Sequence, residues 1–298
     1  MRKSRVFIIA GILVVALFNA GCNVSIEKRE PSKNTVSSGI NNLATNTKNA
    51  SNVKTNTNIK EEVNSTINVK ESETKNIKKM QIECGVSGIK IVPEKRNDIE
   101  ANLIGTVVNC TWDKSEPLSY KVSGDTLTID VNNKNGNSNN SFQGNSINLD
   151  LTVYVPDNLI ENIDVLNGVG DLDVSKNTLE NLNIAIGVGK LVGIEFAGNV
   201  SGEIGVGDVV LQFEKFEDTS IDMSLGTGNA KVTLPKGSEF DIDATTGVGE
   251  IKCDFDVKRA GKEPEVSFMY DELKGSVGNG NSNINLETGV GEISIKKK

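Results

Sequence analysis

The residues that could do chemistry in this chain of 298 residues are carboxylates and four cysteines, because the sequence contains no histidine. Without imidazole there is no Ser-His or Cys-His nucleophile pair, no histidine general base and no histidine-ligated metal. This composition excludes most hydrolase mechanisms. The sequence therefore predicts a protein that is not an enzyme and that uses no cofactor.

Acidic side chains recur directly after Gly-x-Gly triplets, at a position where a stack of carboxylates could bind calcium. The six residues at this position are Asp171, Lys190, Asp208, Asn229, Glu250 and Glu292. Lys190 separates Asp171 from Asp208, Asn229 separates Asp208 from Glu250, and Glu292 lies beyond the long interval, so we expect no two acids to be adjacent. Alternation relieves like-charge repulsion on a solvated ladder, and we favour this interpretation over a row of metal ions. We predict no metal site.

The triplets themselves recur at intervals of 19, 18, 21, 21 and 42 residues. Such a period is typical of a solenoid rung rather than of a propeller blade or a helical repeat. The last interval is twice 21 residues, which we interpret as a repeat near Phe268 that has lost its glycines. No helix follows the triplets, so we interpret them as structural turns and not as phosphate-binding loops. The turn glycines are Gly168, Gly170, Gly187, Gly189, Gly205, Gly207, Gly226, Gly228, Gly247, Gly249, Gly289 and Gly291.

Apolar residues keep fixed offsets on both sides of each triplet. Val209 and Leu211 follow one corner, and Ile221 and Met223 precede the next. A spacing of two residues predicts short strands with alternate side chains turned inward. No single repeat can bury its inner face alone, so we predict an all-β, repetitive β-solenoid-like stack. Residues 161–298 would form the Gly-x-Gly repeats, and residues 81–160 an irregular β cap.

The N-terminus has the pattern of an export signal. Arg2, Lys3 and Arg5 form a positive segment, and an apolar run extends from Val6 to Phe18. This run is short for a membrane span and typical of a signal peptide, which we assign to residues 1–21.

The apolar run is followed by Asn19-Ala20-Gly21-Cys22. Ala20, Gly21 and Cys22 resemble the bacterial lipobox, in which leucine is usual at the position of Asn19. This resemblance implies that Cys22 is the lipid attachment site of a membrane-anchored lipoprotein on the extracytoplasmic side. An uncleaved N-terminal anchor and a fully secreted protein are the alternatives.

Residues 22–80 are predicted to form a disordered tether. From residue 23 to residue 80 there is no aromatic residue, and Asn, Ser and Thr supply 26 of 58 positions. Such a composition cannot bury enough apolar surface to offset chain entropy.

The segment 81–298 is predicted to be one acidic domain. It carries 19 basic and 34 acidic residues. Because so acidic a body repels phosphate backbones, we exclude nucleic acid as a partner.

Three cysteines remain besides Cys22. Cys84 and Cys110 both lie on predicted strands of the cap and could form a disulfide on the oxidising side of the membrane. Cys253 falls in an inward apolar column, where a thiol behaves as a small hydrophobe.

Several short segments within residues 120–295 resemble bacterial toast-rack or adhesin-like domains: SGDTLTIDV, LDLTVYVP, NGVGDLDV, IGVGDVVL and TGVGEIKC. The resemblance implies an envelope-exposed β-solenoid-like domain of unknown function.

Three hypotheses of function result. The first is a non-enzymatic surface lipoprotein whose acidic solenoid binds wall polymer, another envelope protein or a host surface. The second, suggested by the resemblance, is an accessory of envelope-stress sensing with a membrane partner. The third is a polysaccharide-active enzyme on a parallel β-helix, which the scarcity of arginine disfavours, since residues 81–298 contain only Arg96 and Arg259.

Overall fold

The structure is a computed structural model that describes residues 59–108, 116–131, 146–259 and 271–298. Within these ranges the chain forms 20 strands and one short helix, so the predicted all-β fold class is confirmed. No helix in the described ranges is long and apolar enough to cross a membrane.

The strands of the N-terminal part are β1 (Lys60–Val69), β2 (Lys79–Val86), β3 (Gly88–Glu94), β4 (Ile99–Val108), β5 (Leu118–Ser123), β6 (Thr126–Val131) and β7 (Ser146–Pro156). The helix α1 (Glu71–Thr74) lies between β1 and β2. The later strands are β8 (Asn162–Val169), β9 (Leu172–Asp173), β10 (Thr178–Val188), β11 (Leu191–Val206), β12 (Val209–Phe213), β13 (Ser220–Thr227), β14 (Ala230–Leu234), β15 (Phe240–Val248), β16 (Ile251–Cys253), β17 (Lys258–Arg259), β18 (Asp271–Val277), β19 (Ser282–Val290) and β20 (Ile293–Lys297).

The strands form two sheets that meet at the Gly-x-Gly corners. Sheet 1 has the spatial order β5, β6, β2, β8, β10, β11, β13, β19, β15, β18 and β17. Sheet 2 has the order β1, β4, β7, β3, β9, β11, β12, β14, β20 and β16. A rung is one strand of sheet 1, a corner and the following strand of sheet 2. The long β11 belongs to both sheets, with its first residues in sheet 2 and its last in sheet 1.

The side chains that point between the two sheets form the core. Val209, Leu211 and Ile221 are completely buried, as their offsets from the corners predict. Burying one such side chain contributes about 1.5–3 kcal/mol. A row of phenylalanines packs edge to face at the return edge, where the chain passes from sheet 2 back to sheet 1. Ring centroids are 5.0–6.3 Å apart along Phe196, Phe213, Phe216, Phe240 and Phe255.

The predicted tether over residues 22–80 is wrong in its last part, because β1, α1 and the start of β2 lie within residues 60–80. In β1, Val63 and Val69 are buried, and the strand pairs antiparallel with β4 along its whole length. The exposed residues between these valines are polar, so the composition hid a strand pattern. The folded unit begins at Lys60 instead of residue 81. Cys22 lies outside the described residues.

The cap predicted over residues 81–160 is smaller than expected. β2 and β3 form a complete rung, since they pair in parallel with β8 and β9. Ser87 replaces the second glycine of this first corner, which hid it from the repeat pattern. The Nδ2 atom of Asn167 donates to the carbonyl oxygens of Ser87 and Gly170, both at 3.0 Å, and so joins the first two corners. The cap itself consists of β1, β4 and β7 on sheet 2 and of β5 and β6 on sheet 1.

The last rung lies out of chain order. β19 is inserted between β13 and β15, and β20 between β14 and β16. The strands that precede it, β17 and β18, form an antiparallel edge on the far side of β15. The sequence predicts a repeat without its glycines between the triplets at Gly247 and Gly289. In the described part of this interval that prediction is wrong, because β17 and β18 pair antiparallel at the edge of sheet 1, on the opposite side of β15 from β19. Phe268 lies outside the described residues.

Candidate binding surface

The six Gly-x-Gly corners stack on one another with close backbone contacts. A Cβ atom on Gly205 would lie 2.6 Å from the carbonyl oxygen of Gly187, and one on Gly207 would lie 1.8 Å from that of Gly189. Gly207 also has a φ of 149°, which residues with side chains rarely adopt. The space beside these glycines is thus occupied by the neighbouring rung, and the glycines serve the turn.

The middle residues of the corners form a continuous row of side chains that we name the corner ridge. In stacking order it contains Val86, Val169, Val188, Val206, Thr227, Val290 and Val248. The five valines after Val86 are 44–52% exposed. Since neighbouring strands lie about 4.8 Å apart, the ridge is about 29 Å long. The sequence analysis missed it, although the recurrence of valine between the glycines was a usable signal.

One column of residues flanks the ridge on the side of sheet 2. It consists of the residues that follow the corners, in the order Asp171, Lys190, Asp208, Asn229, Glu292 and Glu250. The Asp171 Oδ1 atom accepts from the Lys190 N–H at 2.8 Å, and the Asp208 Oδ1 atom accepts from the Asn229 N–H at 2.9 Å. These hydrogen bonds join two pairs of neighbouring corners and hold the Asp171 and Asp208 side chains in place.

The expectation that acids in this column are never neighbours is wrong at its end. Because the last rung is inserted, Glu292 and Glu250 occupy adjacent rungs. The Lys252 Nζ atom lies 2.7 Å from Glu292 and 3.1 Å from Glu250, which offsets their repulsion. Hydrogen bonds to Glu292 and Glu250 raise the pKa of Lys252 above its ordinary value. Among the described residues, no group of three or more cysteine, aspartate or glutamate side chains could hold a metal ion.

A second column lies on the side of sheet 1, three residues before the ridge, with the first corner glycines between the two. Its members, in stacking order, are Glu83, Leu166, Ala185, Glu203, Ser224, Glu287 and Thr245. The three glutamates are exposed, and so is Leu166. The ridge therefore has carboxylates on both of its sides.

Further from the ridge, the outer face of sheet 1 carries polar side chains that hydrogen-bond from rung to rung. The Asn183 Nδ2 atom donates to Asp164 Oδ1 at 2.8 Å, and the Ser201 Oγ atom donates to Asn183 Oδ1 at 2.6 Å. Partial burial raises the pKa of Asp164, but hydrogen bonds from Lys79, Asn183 and Gln81 outweigh it, so this pKa lies below its ordinary value. The face is a fixed polar array.

The two cysteines within the described ranges, Cys84 and Cys253, lie in surroundings that oppose nucleophilic chemistry. Cys84 is a buried free thiol, and burial raises the pKa of this thiol to about 12, which opposes the reactive thiolate. Cys253 is half-buried and packs against the core, and burial likewise raises its pKa. Cys110 lies outside the described residues, so its disulfide with Cys84 stays a prediction.

A cavity of about 470 Å³ opens at the return edge between the loops 214–218 and 235–239. Three of its carboxylates have partners in the protein: Lys298 contacts Glu214, Lys215 Nζ lies 2.9 Å from Glu217, and Asn279 N donates to Glu239 at 3.1 Å. Asn281 and Ser282, at the start of the inserted rung, also line the cavity. Its carboxylates contribute to local structure.

Comparison with known proteins gives one family. Residues 77–195, from just before β2 into β11, match the family model described as Toastrack DUF4097. Among curated protein sequences, none is significantly similar to this chain.

Several solved structures are similar to this chain, each at less than 25% sequence identity. A "putative cell adhesion protein" from Clostridium sporogenes ATCC 15579 is 22% identical with a TM-score of 0.45, and the match covers 80% of this chain and 100% of that one. A "putative adhesin" from Bacteroides fragilis NCTC 9343 is 13% identical with a TM-score of 0.33, covering 79% and 97%. A "putative lipid binding protein" from Parabacteroides distasonis ATCC 8503 is 11% identical with a TM-score of 0.36, covering 79% and 96%.

Proposed function

We propose that this chain, whose residues 77–195 match the Toastrack family model, is a non-enzymatic binding protein of the bacterial cell surface. In this proposal a lipid on Cys22 anchors the chain to the extracytoplasmic side of the membrane. Residues 23–59 connect the anchor to the stack of rungs, and the stack binds another component of the envelope. The observation that carries the proposal is the corner ridge.

The fold itself does not require aliphatic residues on the ridge. Thr227 occupies the same position with a hydroxyl group, in register with Val206 and Val290 on the neighbouring strands. Threonine shares the β-branched shape and the strand preference of valine, so it would serve the corner equally well. The valines instead expose an apolar row, interrupted once by Thr227, to water. Rows of this kind on soluble proteins mark interaction sites.

The chemistry around the ridge favours binding over catalysis. The sequence contains no histidine that could shuttle protons. Asp171 and Asp208 accept hydrogen bonds from the next corner, which fixes their carboxylates in one geometry. Fixed acceptors beside an apolar row are suited to recognising a partner, because little side-chain freedom is lost on binding.

The anchor is tested by replacing Cys22 with alanine. We expect wild-type protein to carry an acyl chain in mass spectrometry and to sediment with membranes, and Cys22→Ala to be released or to mature incorrectly. Cys253→Ala is the matched control and should stay on the membrane, because Cys253 lies in the folded stack. Wild-type protein without an acyl chain would contradict the anchor.

The binding surface is tested by changing the ridge in the full, anchored chain. The triple variant Val188→Thr, Val206→Thr and Val290→Thr removes the apolar character but keeps the side-chain shape. We expect the variant to bind far less isolated envelope material than the wild type does in a pull-down. Its melting temperature should equal that of the wild type.

Val192→Thr with Val210→Thr is the control, since these half-buried residues lie on the outer face of sheet 2, beyond the flanking column. It should bind like the wild type. If the ridge variant also binds like the wild type, the ridge is not the binding surface and the proposal fails.

A further inference from the structure

The charges around the corner ridge are strongly unbalanced. Lysines are found mainly in the next column out on sheet 2, which contains Lys90, Lys231 and Lys252 together with Asp173. In the two columns that flank the ridge, Lys190 is the single basic residue beside seven carboxylates. The carboxylates are Glu83, Glu203 and Glu287 on the side of sheet 1, and Asp171, Asp208, Glu292 and Glu250 on the side of sheet 2. An apolar row between two acidic columns selects a partner with positive charge, because opposite charges steer and orient association.

The same charges disfavour the other occupants that the surface could take. A second copy of this chain would bring an identical set of carboxylates against the first. Anionic lipid headgroups and phosphate-bearing wall polymers would be repelled in the same way. An uncharged apolar segment would leave the carboxylates to lose part of their hydration without a partner.

The shape of the surface also limits the occupant. The ridge is one side chain wide and projects from the corner, whereas a groove would enclose a compact ligand. A partner can bury it only by lying along several rungs, and an extended polypeptide of about ten residues matches its length of about 29 Å. Lysine and arginine stems can lie along apolar surface while their charged ends reach a carboxylate.

We propose that the corner ridge binds an extended segment of a basic partner protein, in which apolar side chains contact the valines and Lys or Arg side chains reach the flanking carboxylates. This inference rests on the proposed function and names the class of partner for the same surface.

The test uses four labelled peptides of about ten residues and the full chain, with fluorescence anisotropy as the measurement. The first peptide alternates Leu and Lys. Its matched controls alternate Leu and Ser, Ser and Lys, or Leu and Glu. We expect the Leu-Lys peptide to bind at least about tenfold more tightly than any control, and to weaken as salt is raised.

Two sets of variants locate the binding. The double variant Val188→Thr with Val206→Thr should lower the affinity for the Leu-Lys peptide about tenfold. The control variant Val210→Thr should leave this affinity unchanged. Glu203→Gln with Asp208→Asn should weaken binding and reduce its salt dependence. Asparagine at position 208 can keep the hydrogen bond to the next rung, as Asn229 does by accepting from the Glu292 N–H at 2.9 Å.

The outcomes separate this inference from the proposed function. Equal binding of the Ser-Lys and Leu-Lys peptides would show diffuse charge attraction and overturn the inference. If the ridge variant loses envelope material but no peptide binds, the partner class is wrong while the proposed function stands. If the ridge variant still binds both the envelope material and the Leu-Lys peptide, the inference and the proposed function both fail. Tight Leu-Lys binding that depends on the valines and on the carboxylates supports the inference.

Discussion

The chain changes direction at two edges of the stack. At the corner edge, the Gly-x-Gly corners lead from sheet 1 to sheet 2, and at the return edge, loops lead from sheet 2 back to sheet 1. At the corners, glycine pairs let the backbones of neighbouring rungs touch, so each rung repeats the geometry of the last. At the return edge, Lys176, Glu195 and Asp218 adopt positive φ values of 65°, 56° and 49°, and each loop follows its own path. A uniform corner gives a uniform surface, whereas a variable return edge lets the order of the rungs change.

The inserted rung illustrates this difference. The loop from β12 to β13 connects neighbouring rungs, but the loop from β14 to β15 must cross the rung of β19 and β20. The corner of the inserted rung is nevertheless like the others, since a Cβ atom on Gly291 would lie 1.8 Å from the carbonyl oxygen of Gly228. The return edge therefore sets the order of the rungs, and the corner edge preserves the ridge across it.

The largest expected effect comes from Gly207→Val at the corner edge. The valine backbone would have to adopt a φ of 149°, and its Cβ atom would lie 1.8 Å from the Gly189 carbonyl oxygen. Backbone strain alone costs about 1–3 kcal/mol, and the steric overlap adds to it. Urea unfolding of the full chain should show a large loss of stability or no folded protein.

Gly237→Val is the matched control at the return edge. A Cβ atom on Gly237 would meet nothing within 4 Å, and the φ of this residue lies outside the positive region. We expect the free energy of unfolding to change by less than about 0.5 kcal/mol. Equal losses in the two variants would contradict the contrast between the edges.

The next largest effect is expected for Leu211→Ala, in the core that both edges enclose. Leu211 is completely buried in β12, so its truncation should cost about 2–5 kcal/mol. The neighbouring Val210 is half-buried on the outer face, and Val210→Ala should cost clearly less. Chemical denaturation of both variants provides the measurement. A loss below about 0.5 kcal/mol for Leu211→Ala would mean that the inward column is misassigned.

The corner edge could be predicted from the sequence because its constraint is local. Only glycine tolerates the backbone approach seen at Gly205 and Gly207, so each rung carries a visible mark, and the apolar offsets of Val209 and Leu211 follow from the strand period. Ser87 shows the limit of that signal. One replacement in the first corner was enough to hide a complete rung inside the predicted cap.

The return edge could not be predicted because its constraint is non-local. β19 carries the same inward pattern as β13 and β15, so periodicity cannot tell which rung stacks on which. Glu250 and Glu292 are adjacent because the rung of β19 and β20 stacks on that of β15 and β16. Since the order of the rungs could not be predicted, this contact could not be predicted either. The strand β1 was missed for another reason, since its buried Val63 and Val69 lie among polar residues that resemble a linker.

A smaller effect is expected from Asp164 on the outer face of sheet 1. Hydrogen bonds lower its folded pKa, so its carboxylate contributes stability above the unfolded value near 3.9 and loses it as the pH falls through the folded value. Asp164→Asn should cost less than about 1 kcal/mol at neutral pH, because the group is still partly exposed and solvent screens its ion pair with Lys79. The difference from the wild type should shrink in melts at acidic pH. A difference that persists unchanged in acid would exclude the carboxylate as its source.

The smallest effect on stability is expected for Thr227→Val, which fills the polar position of the corner ridge. Thr227 is exposed, and valine has the same branched shape, so the free energy of unfolding should change by less than about 0.5 kcal/mol. Binding of the Leu-Lys peptide should strengthen, because the variant makes the apolar row continuous from Val206 to Val290. Thr233→Val, in β14 of the same rung, adds the same methyl group on the outer face of sheet 2 and should leave the affinity unchanged. An equal gain in both variants would trace the binding to general surface hydrophobicity, and the corner edge would then lose its distinction from the rest of the stack.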